Sequence, residues 1–511
     1  MSGDAQEVKS LLEEDPTIDV NWVGPDRGDT PLHRASRFNH VEVVRLLLAH
    51  PKIEVNKGNT GTVNCFYIAC QEGNLEVVEE LLGDPRVNPE STSNDGTTPF
   101  MIACWDWKLP LVTRLFQEPR IDIDRADRQQ ASTFLFTCQQ GNLQLISMLL
   151  ADPRVDLNRR NINKSTGFLV ACEKGHLELV KLLVTDPRVD VNIPNKRGST
   201  PLYFACDAGH VDIVRLLLAD PRVDVTTKNE TENTPLFIAA NQGRAEVVRV
   251  LLGDSRIDLN SKNSNQVTPF YTACERGHAE VVSVFLADPR IDLGPCGKLM
   301  SSPLCIAAFC GQTKVVKLLL ADPRLDKMAD QENNLKATPF FLACMDGHSD
   351  VVSLLLSDPR VDVNHLNADK ATPLFYACDG GHKEVVGTLL LDPRIAYNRP
   401  QCHNAPPLWA ATDLGQIAVV QQLLASGHEI DTQLRNKFTN KTTAEYARAL
   451  ALATKGDKET VEDYERRKTN GPIIADLIDS YDKDPVDVAI KLRYEPAIRS
   501  KPLSPCSSGS G

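Results

Sequence analysis

Fourteen cysteines and eleven histidines are the residues of this 511-residue chain with the widest chemical reach, and many of them recur in register. Eight cysteines share one slot: Cys70, Cys104, Cys138, Cys172, Cys206, Cys274, Cys344 and Cys378. Seven follow an alanine and Cys138 follows Thr137, and Ser36, Ala240, Ala308 or Thr412 takes the slot elsewhere. Such a column is a metal or redox ladder only if its members converge. A disulfide needs Cα atoms about 4.4–6.8 Å apart, and zinc needs four ligands around one point. Packed helices stand roughly 8–10 Å apart, so the slot reads as a small, buried packing position holding reduced thiols. Five histidines, His176, His210, His278, His348 and His382, follow a glycine. No serine, cysteine or carboxylate recurs beside them in a catalytic arrangement. The phosphate loop GxxxxGK[ST], the glycine fingerprint and HExxH are missing too. The sequence therefore gives no catalytic residues, no metal site and no cofactor.

Charge also recurs. Arg86, Arg120, Arg154, Arg188, Arg222, Arg256, Arg290, Arg324, Arg360 and Arg394 close Asp-Pro-Arg-like tripeptides, commonly with another aspartate two residues on. This reads as an alternating charge ladder on one edge, weak where exposed. A phosphate-binding strip is the other reading, but the interleaved aspartates cancel its field.

The elements that position these residues follow from the period. TPLHRA at Thr30, TPFMIA at Thr98, TPLYFA at Thr200 and TPLFIA at Thr234 belong to one series. Its first nine starts, from Thr30 to Ser302, are 34 residues apart; the tenth lies 36 further on, at Thr338, and the next two return to 34. In the unit from Thr200, the threonine is a good N-cap and Pro201 takes the first helical position, where no donor is needed. LYFACDA makes a short apolar helix that Gly209 ends. VDIVRLLLA makes a second helix with one broad buried face, stopped at Asp220-Pro221. Val223 to Val225 is a short extended finger.

This pattern resembles the ankyrin repeat, whose usual unit is about 33 residues with T-P-L-H-x-A. Two departures stand out. The loop after the second helix, DPRVDVN, is one residue longer. The histidine of TPLH survives only as His33; seven other units carry an aromatic in its slot, Tyr67, Tyr203, Phe237, Tyr271, Phe341, Phe375 or Trp409. The resemblance implies an all-α solenoid of about twelve full helix-turn-helix repeats with short extended fingers. It also implies that the five histidines cap the second helices and tie adjacent repeats. Units of this kind cannot bury two faces alone, so the ends must differ. The expected divisions are a half-repeat cap over 1–29, twelve repeats over 30–441, a capping helix over 442–454, a short helical extension over 455–498 and a disordered tail over 499–511. Within the extension, DKETVEDYERRKTN reads as a charged helix or linker, followed by two short helices.

The residues before the inter-helix glycine should face the concave groove. The acidic ones are Glu72, Asp106, Glu173, Asp207, Glu275, Asp346, Asp379 and Asp413; the basic ones are Arg37, Lys174 and Arg276. An anion at a helix C-terminus is unfavourable by roughly 0.3–1 kcal/mol, so helix stability does not explain the choice; solubility or ligand recognition does. Trp107 replaces the turn glycine of the third repeat and Trp105 lies two residues before it. Repeat decay is one reading of the pair, and an aromatic binding anchor is the other. Asn21, Asn56, Asn158, Asn192, Asn260 and Asn364 lie in V-D-V-N-like fingers. By resemblance to other ankyrin arrays they are candidate sites of asparagine hydroxylation.

The formal net charge of −12 disfavours nucleic acid and acidic membrane surfaces. No run of about 18 apolar residues is present, and the N-terminus is unlike a secretory signal; the chain is expected in the cytosol or nucleus, as a monomer. The expected function is a non-enzymatic protein-interaction scaffold that binds partners on its concave groove and finger tips, the partner presenting a basic or mixed polar segment. The alternative is a regulatory subunit or enzyme inhibitor whose C-terminal extension delivers the effect.

Overall fold

The Thr200 hydroxyl accepts the Tyr203 backbone N–H at 3.3 Å, with Pro201 in the first turn. The same cap opens the first helices at Thr98, Thr166, Thr268, Thr338 and Thr372. Asn64 substitutes its amide oxygen, accepting from the Tyr67 N–H at 3.0 Å. Losing such a cap typically costs about 1 kcal/mol, so the recurring polar residue fixes where each unit begins. Helices Pro201–Ala208 and Val211–Ala219 meet at Gly209, whose φ of 88° is left-handed.

The computed structural model describes residues 4–15, 17–25, 27–401, 403–453 and 460–494. The tail expected over 499–511, and residues 454–459 and 495–498, lie outside the described residues. Among the described residues there are 28 α-helices, one 3₁₀ helix and no strand. The fingers are turns, with one isolated bridge between Cys296 and Ser301. No described helix is long and apolar enough to cross a membrane.

Two compact units divide the chain: Met1–Ile238 with Arg249–Ile257, and Ala239–Val248 with Asp258–Gly511. In the first, helix Gly167–Lys174 packs between Thr133–Gln140 and Pro201–Ala208. In the second, Pro373–Asp379 packs between Pro339–Met345 and Pro407–Asp413. The third motif residue drives both stacks: Phe66, Phe100, Phe134 and Phe168 in one, Phe270 and Phe340 in the other, are fully buried. The second helices bury one stripe each, such as Ile213, Val214 and Leu217. The longer interval before Thr338 is taken up by a 3₁₀ helix, Pro323–Met328.

At the end of the second unit the described part of the segment expected as a charged helix or linker is helical, and it runs on into the first of the two expected short helices. Helix Val461–Lys483 runs 23 residues through Pro472, and Pro485–Tyr494 follows. A proline inside a helix removes a hydrogen bond, but packing outweighs that here. Gly471 lies so close to helix Thr443–Leu450 that an added Cβ would stand 2.5 Å from the Ala447 carbonyl oxygen. Ile474, Ala475, Ile478 and Tyr481 are buried. The Tyr481 hydroxyl donates to the His428 carbonyl at 3.0 Å and accepts from the Ile430 N–H at 3.3 Å.

Candidate partner-binding face

Three side-chain clamps tie each repeat to the next and account for many of the conspicuous polar residues. In the first, His210 Nε2 donates to the Glu173 carbonyl at 3.0 Å. His176, His278, His348 and His382 reach Gln139, Asn241, Phe309 and Met345 carbonyls at 2.8–2.9 Å. A carbonyl only accepts, which places the proton on Nε2. The expected capping of the second helix is not seen: these histidines occupy its N-cap position but make no side-chain bond to it. Each ring lies against the glycine of the preceding repeat. A Cβ on Gly175, itself at φ 80°, would stand 2.5 Å from the His210 ring. Asn39 and Trp107 hold the glycine's place at φ 56° and 57°, and there the next repeat carries Asn74 or Asn142 instead of histidine. Lys108 fills the histidine role for Gln71, donating Nζ to its carbonyl.

The second clamp adds a contact to the expected Asp–Arg edge ladder. Arg188 Nη2 donates to the Leu150 carbonyl at 2.6 Å, at the C-terminal end of the preceding repeat's second helix, while the guanidinium grips Asp186. Arg86, Arg222 and Arg394 do the same at Leu48, Val184 and Leu356. These carbonyls have no partner within their helix, so the arginines are caps of the repeat before. The guanidinium hydrogen bond holds each aspartate, such as Asp186 and Asp220, below the usual carboxylate range. His428 takes the arginine's place at Leu390, at 3.0 Å. In the sequence, the fixed Asp-x-Arg spacing was the visible trace of this clamp; its carbonyl partner, 38 residues earlier, was not visible.

Finger asparagines form the third clamp. Asn192 Nδ2 donates to the Arg222 carbonyl at 2.7 Å, and its Oδ1 accepts the Asp224 N–H at 2.8 Å. Asn21, Asn56, Asn158, Asn260 and Asn364 pair in the same two-sided way with Lys52 and Glu54, Arg86 and Asn88, Arg188 and Asp190, Arg290 and Asp292, and Arg394 and Ala396.

All eight column cysteines are free and buried. Burial pushes their thiols well up, as at Cys70 and Cys344, which suppresses the reactive thiolate. Outside the column, Cys65 is pushed up to about 12 and Cys305 to about 11.

The remaining candidates sit at the C-terminal ends of the first helices. In the first unit several are compensated. Glu72 pairs with Arg37 at 2.8 Å and Asp106 with Lys108 at 3.1 Å. Glu173 and Asp207 are half-buried and Lys174 is exposed. Trp105 and Trp107 are 52% and 57% exposed. Trp105 rests on Phe136 with ring centroids 5.6 Å apart, and the Trp107 indole N–H donates to Gln140 at 2.7 Å. Both indoles are thus held in place yet open to solvent. In the second unit Asp346 lies 2.9 Å from Nε2 of His348, the nitrogen that donates to the Phe309 carbonyl. Glu275 is half-buried beside exposed Arg276, and Cys310 lies in the field of both Glu275 and Asp346. Asp379 is pushed up by its burial and then by the charge of Asp413; Asp413 accepts the Tyr446 hydroxyl at 2.5 Å. Among the described residues, Glu275, Asp379 and Asp413 form no ion pair.

The family model "Ankyrin repeats (3 copies)" matches residues 1–59, 134–229, 221–295, 291–367 and 340–436. Between the first two matches, residues 60–133, lie the Asn64 cap and the Trp105–Trp107 turn. Comparison with curated proteins gives no match. Capped helix pairs at a fixed period and the family match agree: the chain belongs to the ankyrin-repeat family, whose repeats are general protein-interaction modules.

Proposed function

We propose that this chain is a non-enzymatic scaffold that holds a basic or mixed polar segment of a partner protein on the first-helix ends. Glu72, Asp106, Glu173, Lys174, Asp207, Glu275, Arg276, Asp346, Asp379 and Asp413 supply the polar contacts, with Trp105 and Trp107 as apolar anchors. The carrying observation is that Asp379 and Asp413 keep like charges near each other at helix C-termini, where neither helps its own helix. A cationic partner removes that penalty. The alternative, a C-terminal extension that delivers the effect, gains nothing from the geometry. Ile474, Ala475, Ile478 and Tyr481 spend that helix's apolar face on the last repeat. On the family resemblance we also propose hydroxylation at Asn21, Asn56, Asn158, Asn192, Asn260 and Asn364. Their amides are engaged on both sides, so a modifying enzyme has to open the finger.

The test uses the partner captured by the intact array. Replacing Glu275, Asp379 and Asp413 together should slow association several-fold at low salt and little at high salt. Trp105→Ala should act on dissociation, because it removes apolar contact. Association rates indifferent to salt and to the triple replacement would mean that the acids serve solvation alone.

A further inference from the structure

The first repeat breaks the pattern at Arg34. The same slot holds Ile68, Ile102, Phe136, Val170 and Phe204 in the next five repeats. Those residues have a first helix on either side. Arg34 has one on a single side, because the described residues before Thr30 contribute one helix, Ala5–Glu14, which packs on the second helix Val41–Leu48. A repeat with a first helix on one side only, among the described residues, needs a polar outer face. It does not need exposed aromatic rings, and Trp22 and Phe38 are 53% and 55% exposed beside Arg34.

These residues, with Arg27, Arg37 and Asp29, line a cavity of about 460 Å³, within the size range of ligand sites. The Arg34 guanidinium stands 5.8 Å from the Phe38 ring centroid. Nε of Arg34 and Nε of Arg37 are both buried without a hydrogen-bond partner, a costly state for charged groups. Asp29, the carboxylate of this lining, is already engaged by Asn59 at 2.8 Å and Arg37 at 3.3 Å. Glu72 takes another nitrogen of Arg37. Arg34 has no carboxylate among the described residues. Among the described residues, Arg27, Arg34 and Arg37 face Asp29 and Glu72, and Arg34 is left without a counter-charge, on a chain of net charge −12.

We propose that the cavity binds an extended protein segment presenting a carboxylate next to an aromatic side chain, with the carboxylate on Arg34 and the ring against Trp22 and Phe38. The guanidinium fork suits a carboxylate, and the two indole and phenyl faces suit an offset-stacked ring. Asp29 and Glu72 close by disfavour a doubly charged phosphate. This site shares Glu72, through Arg37, with the first-helix ends, but not the Glu275, Asp379 and Asp413 tested above, and it would survive if those were solvation alone.

The full chain labelled with 5-fluorotryptophan tests it, with the Trp22 fluorine resonance assigned through Trp22→Phe. The probes are the capped peptide Ac-Gly-Phe-Glu-Gly-NH2 and its glutamine counterpart. The glutamate peptide should shift the Trp22 resonance at millimolar concentration. The glutamine peptide, and the glutamate peptide with Arg34→Gln, should bind about tenfold more weakly, about 1.4 kcal/mol. Arg34→Lys should recover part of the loss, and Phe38→Ala should weaken both peptides. Equal shifts from the two peptides, no shift at all, or tighter binding of phenyl phosphate would overturn the proposal. If Arg34→Gln lowers the unfolding midpoint, the peptide pair on the unaltered chain still decides.

Discussion

Asp379 and Asp220 are aspartates with opposite effects on the fold. Burial, then the Asp413 charge, raises the Asp379 pKa. The Arg222 hydrogen bond lowers that of Asp220. An unfolded aspartate titrates near about 3.9. Asp379 therefore stabilises the array only while protonated, and that help disappears as pH rises from the unfolded value through the raised folded one. Asp220 stabilises above the unfolded value, and its contribution is lost as pH falls through the lowered folded one. At neutral pH, Asp379→Asn should raise stability by about 0.3–1 kcal/mol, the scale of an anion at a helix C-terminus, and should weaken partner binding. Urea unfolding at pH 7 checks the first half. A loss of stability there would mean that the carboxylate serves the fold rather than a ligand.

At the scale of elements, the inter-helix turn is set by a pair of residues in successive repeats. Gly175 is held at positive φ and crowded by the His210 ring, while Trp107 occupies the same place above the shorter Asn142. Gly175→Ala should therefore cost about 1–2 kcal/mol from the left-handed conformation alone, plus the ring clash. Adding His210→Asn should recover the clash component. The coupling in this double-mutant cycle should fall within the usual range for contacting residues, about 0.5–3 kcal/mol. Strict additivity of the two changes would show that ring and turn do not interact. The turn itself was legible in the sequence, because glycine ends helices and the 34-residue interval repeats it. The contact was not legible, because the carbonyl that His210 binds lies 37 residues away and becomes a neighbour only when repeats stack. The continuity of helix Val461–Lys483 through Pro472 was not legible for the same kind of reason: the close approach of Gly471 to Ala447, which no local preference encodes, accompanies it.

For the whole molecule, the clamps and the proposed site use different residues. Histidines, arginines and finger asparagines are consumed in joining repeats. The acids at first-helix ends and the exposed Trp105 and Trp107 are what that joining leaves over. Their positions were visible in the sequence as variable residues before each glycine. Their compensation was not, since Arg37 and Glu72 meet across 35 residues. Hydrogen–deuterium exchange of the full chain, with and without a captured partner, tests the central claim most directly. Protection should concentrate in the last turns of the first helices, around Trp105 to Lys108 and around Glu275, Asp346, Asp379 and Asp413. Protection confined to the fingers or to the second helices, with those turns unchanged, would contradict it.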